Sequence, residues 1–321
     1  MILTVTINPL LEYRLTFENV MDGVPNRNGK IKLAAGGKGI NVNRQLNKLK
    51  IKNIALTFAG GVHGKLFRES LNNEGTDFSL INTSSDTRMC AVIIDQEKRS
   101  VSYYFGEDQS ITNEECDRFI RQLEKMIQNC EIVIFSGSSP CKETDSIFPI
   151  GIEMANRYDK ISICDTYGKH LENCYSASPR VVHNNVDEVS DSLHINLENE
   201  VEKIEFLNSL YDKGIKQVFL TNGAQNTYAS NFDFHFRVEV PDINCVDSTG
   251  SGDAFVAGIA YGWHNNLIFN GQLKFASAIG AENAKAFDVC NVEGEDANKI
   301  AEYVKVVPVG KKMKIIDDTP N

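Results

Sequence analysis

No stretch of eighteen apolar residues occurs in the 321-residue chain, so no segment is expected to cross a bilayer as a helix. Lysine and arginine are outnumbered, 33 against 43 acidic residues, and nowhere crowd into a run that could follow a phosphate backbone. That argues against nucleic acid as a partner. Residues 1–8 alternate straight into a strand, with neither a basic region nor a cleavage site, and the expected location is the cytoplasm. Cys-x-x-Cys pairs are missing. The eight cysteines, at 90, 116, 130, 141, 164, 174, 245 and 290, have no histidine at ligand spacing and are read as reduced thiols rather than disulfides or a zinc site. Internal repeats, low-complexity tracts and linkers are absent as well. What is present is an apolar fraction of 42%, enough to fill the core of one large α/β domain with an appendage, or of two medium domains.

The most informative stretch is 246–255, Val-Asp-Ser-Thr-Gly-Ser-Gly-Asp-Ala-Phe. Phe255, Val256, Ile259 and Ala260 recur at helical spacing, which predicts that Gly250 to Asp253 form the first turn of a helix. A helix start presents unpaired N–H groups and a partial positive charge, and glycines let an oxyanion approach them. Asp253 would repel that anion unless it has a task, such as accepting the proton of an attacking hydroxyl, so the combination suggests phosphoryl transfer. The plainer reading is a helix capped by Thr249 or Ser251, with Asp253 complementing its dipole.

Taken in order, residues 2–7 read as a strand that Pro9 stops, and 12–17 as a second strand. A glycine turn at 34–41 opens a helix bearing Ile40, Leu46 and Leu49; it serves an anion or merely packs strand against helix. Strand 54–60 and helix 64–73 follow. Residues 89–95 and 100–105 form a predicted hairpin around 96–99 and, with 12–17, a small separate sheet. Thr112 and Glu115 make a capping box, and 132–135 is an apolar run of the kind found in a central parallel strand. Strands at 161–165, 181–183 and 217–221 alternate with helical patterns, ending in helices at 276–285 and 295–304.

Residues 247–255 closely resemble the C-terminal signature of the PfkB/ribokinase family of carbohydrate kinases. The resemblance implies that Asp253 is the catalytic base and that Gly250, Ser251 and Gly252 form an anion hole. It implies substrate contacts for Gly37, Lys38, Gly39 and Asn41 in the first glycine turn, and for Ser138 in Ser-Gly-Ser-Ser-Pro. Glu12, after Asn8-Pro9, falls where the family normally holds sugar hydroxyls with aspartate. Asn26-Arg27 and Thr87-Arg88 resemble the branch of 1-phosphofructokinase and tagatose-6-phosphate kinase, implying that Arg27 and Arg88 grip a phosphate on the substrate. On its own, Arg88 reads as a solvated surface arginine. Asn185 and Glu188 match the family's Asn-x-x-Glu motif, which orders magnesium through water; a helix cap fits the same spacing. His183-Asn184 stands where the family usually has Lys-Pro. Thr221, Asn222 and Gly223 fall at the family's nucleotide turn, with Asn185, Gly250 and Gly252 also facing the nucleotide and Asn283 on the helix that walls the adenine.

The expected fold is α/β and ribokinase-like: a mostly parallel sheet with helices on both faces over residues 1–310, a small β lid from about 12–35 and 87–106, and a polar tail at 311–321. The expected activity is ATP- and Mg2+-dependent phosphorylation of a ketohexose monophosphate, of fructose 1-phosphate or tagatose 6-phosphate type, to a bisphosphate. The lid is the expected homodimer contact. A kinase for an unphosphorylated sugar or nucleoside and a non-catalytic sugar-phosphate sensor are the alternatives. A nicotinamide oxidoreductase would need Gly-x-Gly-x-x-Gly where Asn8-Pro9 stands.

Overall fold

The apolar run at 132–135 is buried on both sides, and the period-2 geometry of a strand shows why. In the computed structural model, which describes residues 1–309, Val133 and Phe135 enter one core with Leu3, Val5 and Phe58. Ile132 and Ile134 enter the opposite core with Ile2, Val42 and Ala257. A strand that feeds two cores has no room for polar alternation.

In chain order the elements are β1 (Ile2–Thr6), β2 (Leu10–Phe17), β3 (Lys30–Gly36), α1 (Lys38–Lys48), β4 (Asn53–Gly60), α2 (Gly61–Asn73), β5 (Phe78–Thr83), β6 (Arg88–Asp95) and β7 (Ser100–Phe105). Next come α3 (Asn113–Gln128), β8 (Ile132–Ser136), α4 (Ile147–Arg157), β9 (Ile161–Asp165), α5 (Leu171–Ser176), β10 (Val181–Asn185), α6 (Val186–Leu193) and α7 (Glu200–Asp212). The chain continues with β11 (Gln217–Thr221), β12 (Thr227–Asn231), β13 (Phe234–Glu239), α8 (Ser251–His264), α9 (Phe269–Asn283), α10 (Gly294–Ala301) and β14 (Lys305–Val309).

The large sheet has ten strands in the order β14-β13-β12-β11-β10-β9-β8-β1-β4-β5. Neighbours from β11 to β5 are parallel, and β12 to β14 extend one edge in antiparallel fashion. Phe119 and Leu123 of α3, Phe148 of α4 and Leu207 of α7 cover one face; Val42 of α1, Val256 of α8 and Leu273 of α9 cover the other. The small sheet, β3-β2-β6-β7, pairs β2 with β6 in parallel. Ile31, Tyr104 and Phe105 on this lid are exposed.

The expected layers and the separate lid are present, and the Thr112–Glu115 capping box is complete. Five strands carried no usable pattern in the sequence: β3, half of it in a polar stretch, and β5, β12, β13 and β14. The helix expected over 295–304 stops at Ala301, and the chain turns into β14. The expected tail at 311–321 lies outside the described residues.

Candidate active site

The parallel strands point their C-terminal ends at one region, the place where open α/β sheets bind ligands. Ser136 ends β8, Asp165 ends β9, Asn185 ends β10 and Thr221 ends β11. Two helices start there as well, and neither start is capped by a side chain: Gly37 is the N-cap of α1 and Gly250 that of α8. The capping expected of Thr249 or Ser251 in the plainer reading is therefore absent. Gly250 has φ +76°, and a Cβ on it would lie 2.2 Å from Val289 Cγ1, so both conformation and space require glycine. A Cβ on Gly39 would meet Thr6 Oγ1 at 2.3 Å, so the first glycine turn is also a close packing turn of α1 on β1.

Asp253 occupies the first turn of α8 and is buried. Asn41 Nδ2 donates to its Oδ2 at 2.8 Å. Burial pushes the Asp253 carboxyl up to about 7; the charges of Asp165 and Glu188 add to the rise, while Lys38 and the Asn41 amide oppose it. A carboxyl poised near neutrality suits a general base. The Asn41 amide is itself oriented, because Arg44 Nη1 donates to Asn41 Oδ1 at 2.8 Å, and Arg44 is anchored on Glu74.

Lys38 Nζ lies 2.6 Å from Glu188 Oε1 and 3.4 Å from Asp165 Oδ1. Burial alone would discharge it, but the carboxylates of Asp165, Glu188 and Asp253 hold its pKa above the ordinary lysine value. Asp165 is fully buried; Lys38, His183 at 2.9 Å and the Ser136 hydroxyl at 2.7 Å overcome its desolvation and keep it well below the usual carboxylate range. His183 Nε2 also lies 3.3 Å from Thr221 Oγ1, and its Cε1 would sit 3.3 Å from a Cβ on Gly252.

Asn185 is the N-cap of α6: its Oδ1 accepts from Asp187 N at 2.8 Å, and Glu188 Oε2 accepts from Asn185 N at 3.4 Å. The cap reading is thus realised, yet Glu188 Oε1 still reaches Lys38. No cluster of three or more His, Cys, Asp or Glu with metal-site geometry occurs among the described residues. One partly exposed carboxylate beside an asparagine fits a Mg2+ that keeps its waters and takes phosphate oxygens.

On the lid side, Asn8 Nδ2 donates to Ser138 Oγ at 3.1 Å and to Asp108 Oδ1 at 2.9 Å, and Arg88 Nη1 donates to the same Asp108 oxygen at 2.8 Å. Glu12 accepts from Arg14 Nη1 at 2.7 Å, and Arg14 Nη2 donates to Phe287 O at 2.8 Å. Tyr103 of β7 donates to Asp247 Oδ2 at 2.9 Å, tying the lid to the glycine turn of α8.

Two expected residues, Arg27 and Asn283, behave differently. Arg27 is exposed in the loop from β2 to β3 and has no hydrogen-bond or ion-pair partner among the described residues, so the structure gives it no link to Arg88. Asn283 is buried; its amide donates to Thr249 O and Ser251 Oγ, and its Oδ1 accepts from Cys290 N. It braces the glycine turn instead of presenting its side chain to a nucleotide. Asn222 and Gly223 form a surface turn in which Asn222 bonds Gln225. Missed in the sequence were Asp165, Arg14, Arg44, Tyr103 and Asp108. Only Asp165 carried a signal, as the charged end of an apolar strand.

An α/β fold with a separate β lid, and uncapped helix starts at the C-terminal ends of its parallel strands, is the arrangement that the sequence leads one to expect of a carbohydrate kinase. Residues 7–293 match the profile of the pfkB family carbohydrate kinases, and the chain belongs to that family. It is 26% identical over 312 residues to a tagatose-6-phosphate kinase from Staphylococcus epidermidis, covering 96% of this chain and 100% of that one. Among solved structures it is similar to a possible 1-phosphofructokinase from Thermotoga maritima, with TM-score 0.87, 22% identity and coverage of 96% and 99% of the two chains. It is also similar to phosphofructokinase-2 from Escherichia coli, with TM-score 0.85, 21% identity and coverage of 94% and 98%. The protein is accordingly a sugar kinase, a phosphotransferase with an alcohol group as acceptor. No helix among the described residues is long and apolar enough to cross a membrane.

Proposed function

We propose that the protein phosphorylates a ketohexose monophosphate to a bisphosphate with ATP, using Asp253 as general base. The observation that carries this is the placement of Asp253, buried, with its pKa raised to about 7, in the first turn of a helix whose start no side chain caps. Asn41 occupies one carboxylate oxygen, which leaves the other to take the proton as the sugar hydroxyl attacks the γ-phosphorus. The N–H groups of Gly250 and Gly252 would face the charge that develops, while that of Ser251 donates to Ser248 O at 3.1 Å and fixes the turn, and Lys38 adds a cation whose charge reaches Asp253.

Glu188 and Asn185 would hold Mg2+ through water; when bound, the ion neutralises charge on the transferring phosphates. Thr221, Asn222 and Gly223 would line the nucleotide, and Gly37, Gly39, Ser138, Glu12 and Arg88 the sugar phosphate. The exposed Ile31, Tyr104 and Phe105 of the lid suit a homodimer contact. The cytoplasm is the compartment that supplies ATP to such a reaction.

A kinase for an unphosphorylated sugar is the second reading. It is favoured by the pairing of the site's cations with carboxylates, Arg14 with Glu12, Arg88 with Asp108 and Lys38 with Glu188. The test is ADP release with Mg-ATP over a panel of ketohexose phosphates, free ketoses, ribose and nucleosides. Turnover of one sugar phosphate supports the first reading and of a neutral sugar the second; no turnover at all, with sugar phosphate still raising the melting temperature, leaves a sensor.

A further inference from the structure

In the reading proposed above Arg88 is the arginine on which a phosphorylated substrate would dock, and in this structure its Nη1 is already taken by a carboxylate. Asp108, in the segment between β7 and α3, accepts from Arg88 Nη1 at 2.8 Å and from Asn8 Nδ2 at 2.9 Å through a single oxygen. Arg88 has only weaker contacts besides: Nη2 to Asn8 O at 3.4 Å and the Phe105 ring 5.6 Å from its guanidinium carbon. Its Nε is buried without a partner. Asp108 is thus the anion that neutralises Arg88, and the two differ in freedom. The Arg88 side chain is 14% exposed and walled in, whereas that of Asp108 is 46% exposed. If the pair opens, the carboxylate can turn into water and the guanidinium has to stay.

We propose that Asp108 is a specificity-determining residue: its carboxylate stands in for the substrate's anionic group on Arg88, and a substrate phosphate has to displace it. The inference rests on the sugar-phosphate reading above. A phosphate monoester brings a charge of about −1.5 to −2 at pH 7 and three acceptor oxygens, more than a carboxylate offers. A neutral hydroxyl brings no charge and leaves the pair closed. The displaced carboxylate is a constant competitor, so the site responds to a dianion and holds it less tightly than a bare arginine would. Asn8 is not stranded by the exchange, since Ser138 Oγ remains within 3.1 Å of its amide.

The experiment compares wild type with Asp108→Asn, which keeps the shape and the acceptor for Asn8 and removes the charge. The KM for the sugar phosphate identified in the substrate panel is measured alongside inhibition by inorganic phosphate against that substrate. The account predicts that the KM falls about tenfold and inorganic phosphate inhibits more strongly, while the KM for Mg-ATP stays within about twofold. Asp108→Ser shifts both in the same direction. In an Arg88→Gln background the Asp108→Asn change has less than about a twofold effect, because the competition has lost its object. A merely structural Asp108 would lose affinity when replaced, so the gain is diagnostic. A sugar phosphate turned over with an unchanged or raised KM in Asp108→Asn overturns this proposal alone. Turnover of free sugars only, in both proteins, overturns the sugar-phosphate reading and the proposal with it.

Discussion

Asn41 Nδ2 donates to Asp253 Oδ2 at 2.8 Å, joining two glycine turns that lie 212 residues apart in sequence. The bond supports the ionised form of a carboxyl that burial disfavours. With Asp253 as the base proposed above, activity needs that ionised form, and the rate is expected to fall as pH drops through the Asp253 pKa near 7. Asn41→Ala removes the donor, and the acid limb of kcat against pH is expected to move upward by about one unit. A limb that stays in place, or moves down, would show that the amide does not tune the base.

The same burial makes a prediction for stability. The folded-state pKa of Asp253 lies above its ordinary value of 3.8, so the fold favours the neutral carboxyl. Its contribution is complete at low pH and is lost as pH rises from about 4 through about 7. Asp253→Asn never ionises. Its melting temperature should exceed that of wild type by a few degrees near pH 8, with the gap closing toward about pH 4, as read by thermal unfolding across pH.

Lys38 is a cation acted on by three carboxylates, Asp165, Glu188 and Asp253. Lys38→Met leaves those carboxylates facing one another. Removing one partner of a largely buried pair costs about 3–5 kcal/mol, which corresponds to a fall in melting temperature of about 5–10 °C for a chain of this size. A variant that melts within about 2 °C of wild type would mean that solvent, not Lys38, balances these charges.

Gly250 and Gly252 separate fold from chemistry. Alanine at 250 needs φ +76° and 2.2 Å clearance from Val289, so Gly250→Ala should be poorly folded. At Gly252, in the proposed anion hole, the added methyl meets only the tip of His183 at 3.3 Å. Gly252→Ala should melt close to wild type but lose about a hundredfold or more in kcat. Equal effects of the two substitutions would remove the case for an anion hole.

How legible this was in the sequence depended on whether a residue acts through its neighbours in the chain or across the fold. The two glycine turns, the Thr112 capping box and the apolar run of β8 are local devices, and each was readable from spacing. Asn185-x-x-Glu188 was readable as two devices, and the structure shows why: one carboxylate serves the helix cap with Oε2 and Lys38 with Oε1. Asp165 and Asp108 act through partners brought close by the sheet and lid, 127 residues away for Asp165 and Lys38, and Arg44 acts on its helix neighbour Asn41 but is anchored on Glu74, 30 residues on; beyond the charged end of the β9 run at Asp165, no local pattern marks them. The edge strands β12 to β14 were missed because their pattern is weak, with exposed residues such as Phe234 mixed into the apolar set.

The most direct test of the central claim is single-turnover phosphoryl transfer from Mg-ATP to the preferred sugar phosphate in wild type and Asp253→Asn, with sugar binding measured in parallel. With Asp253 as the base, the rate in the variant is expected to be lower by about a thousandfold or more, with sugar affinity changed by no more than a few fold. A variant that transfers the phosphoryl group within about tenfold of the wild-type rate would contradict the assignment of Asp253 as the base.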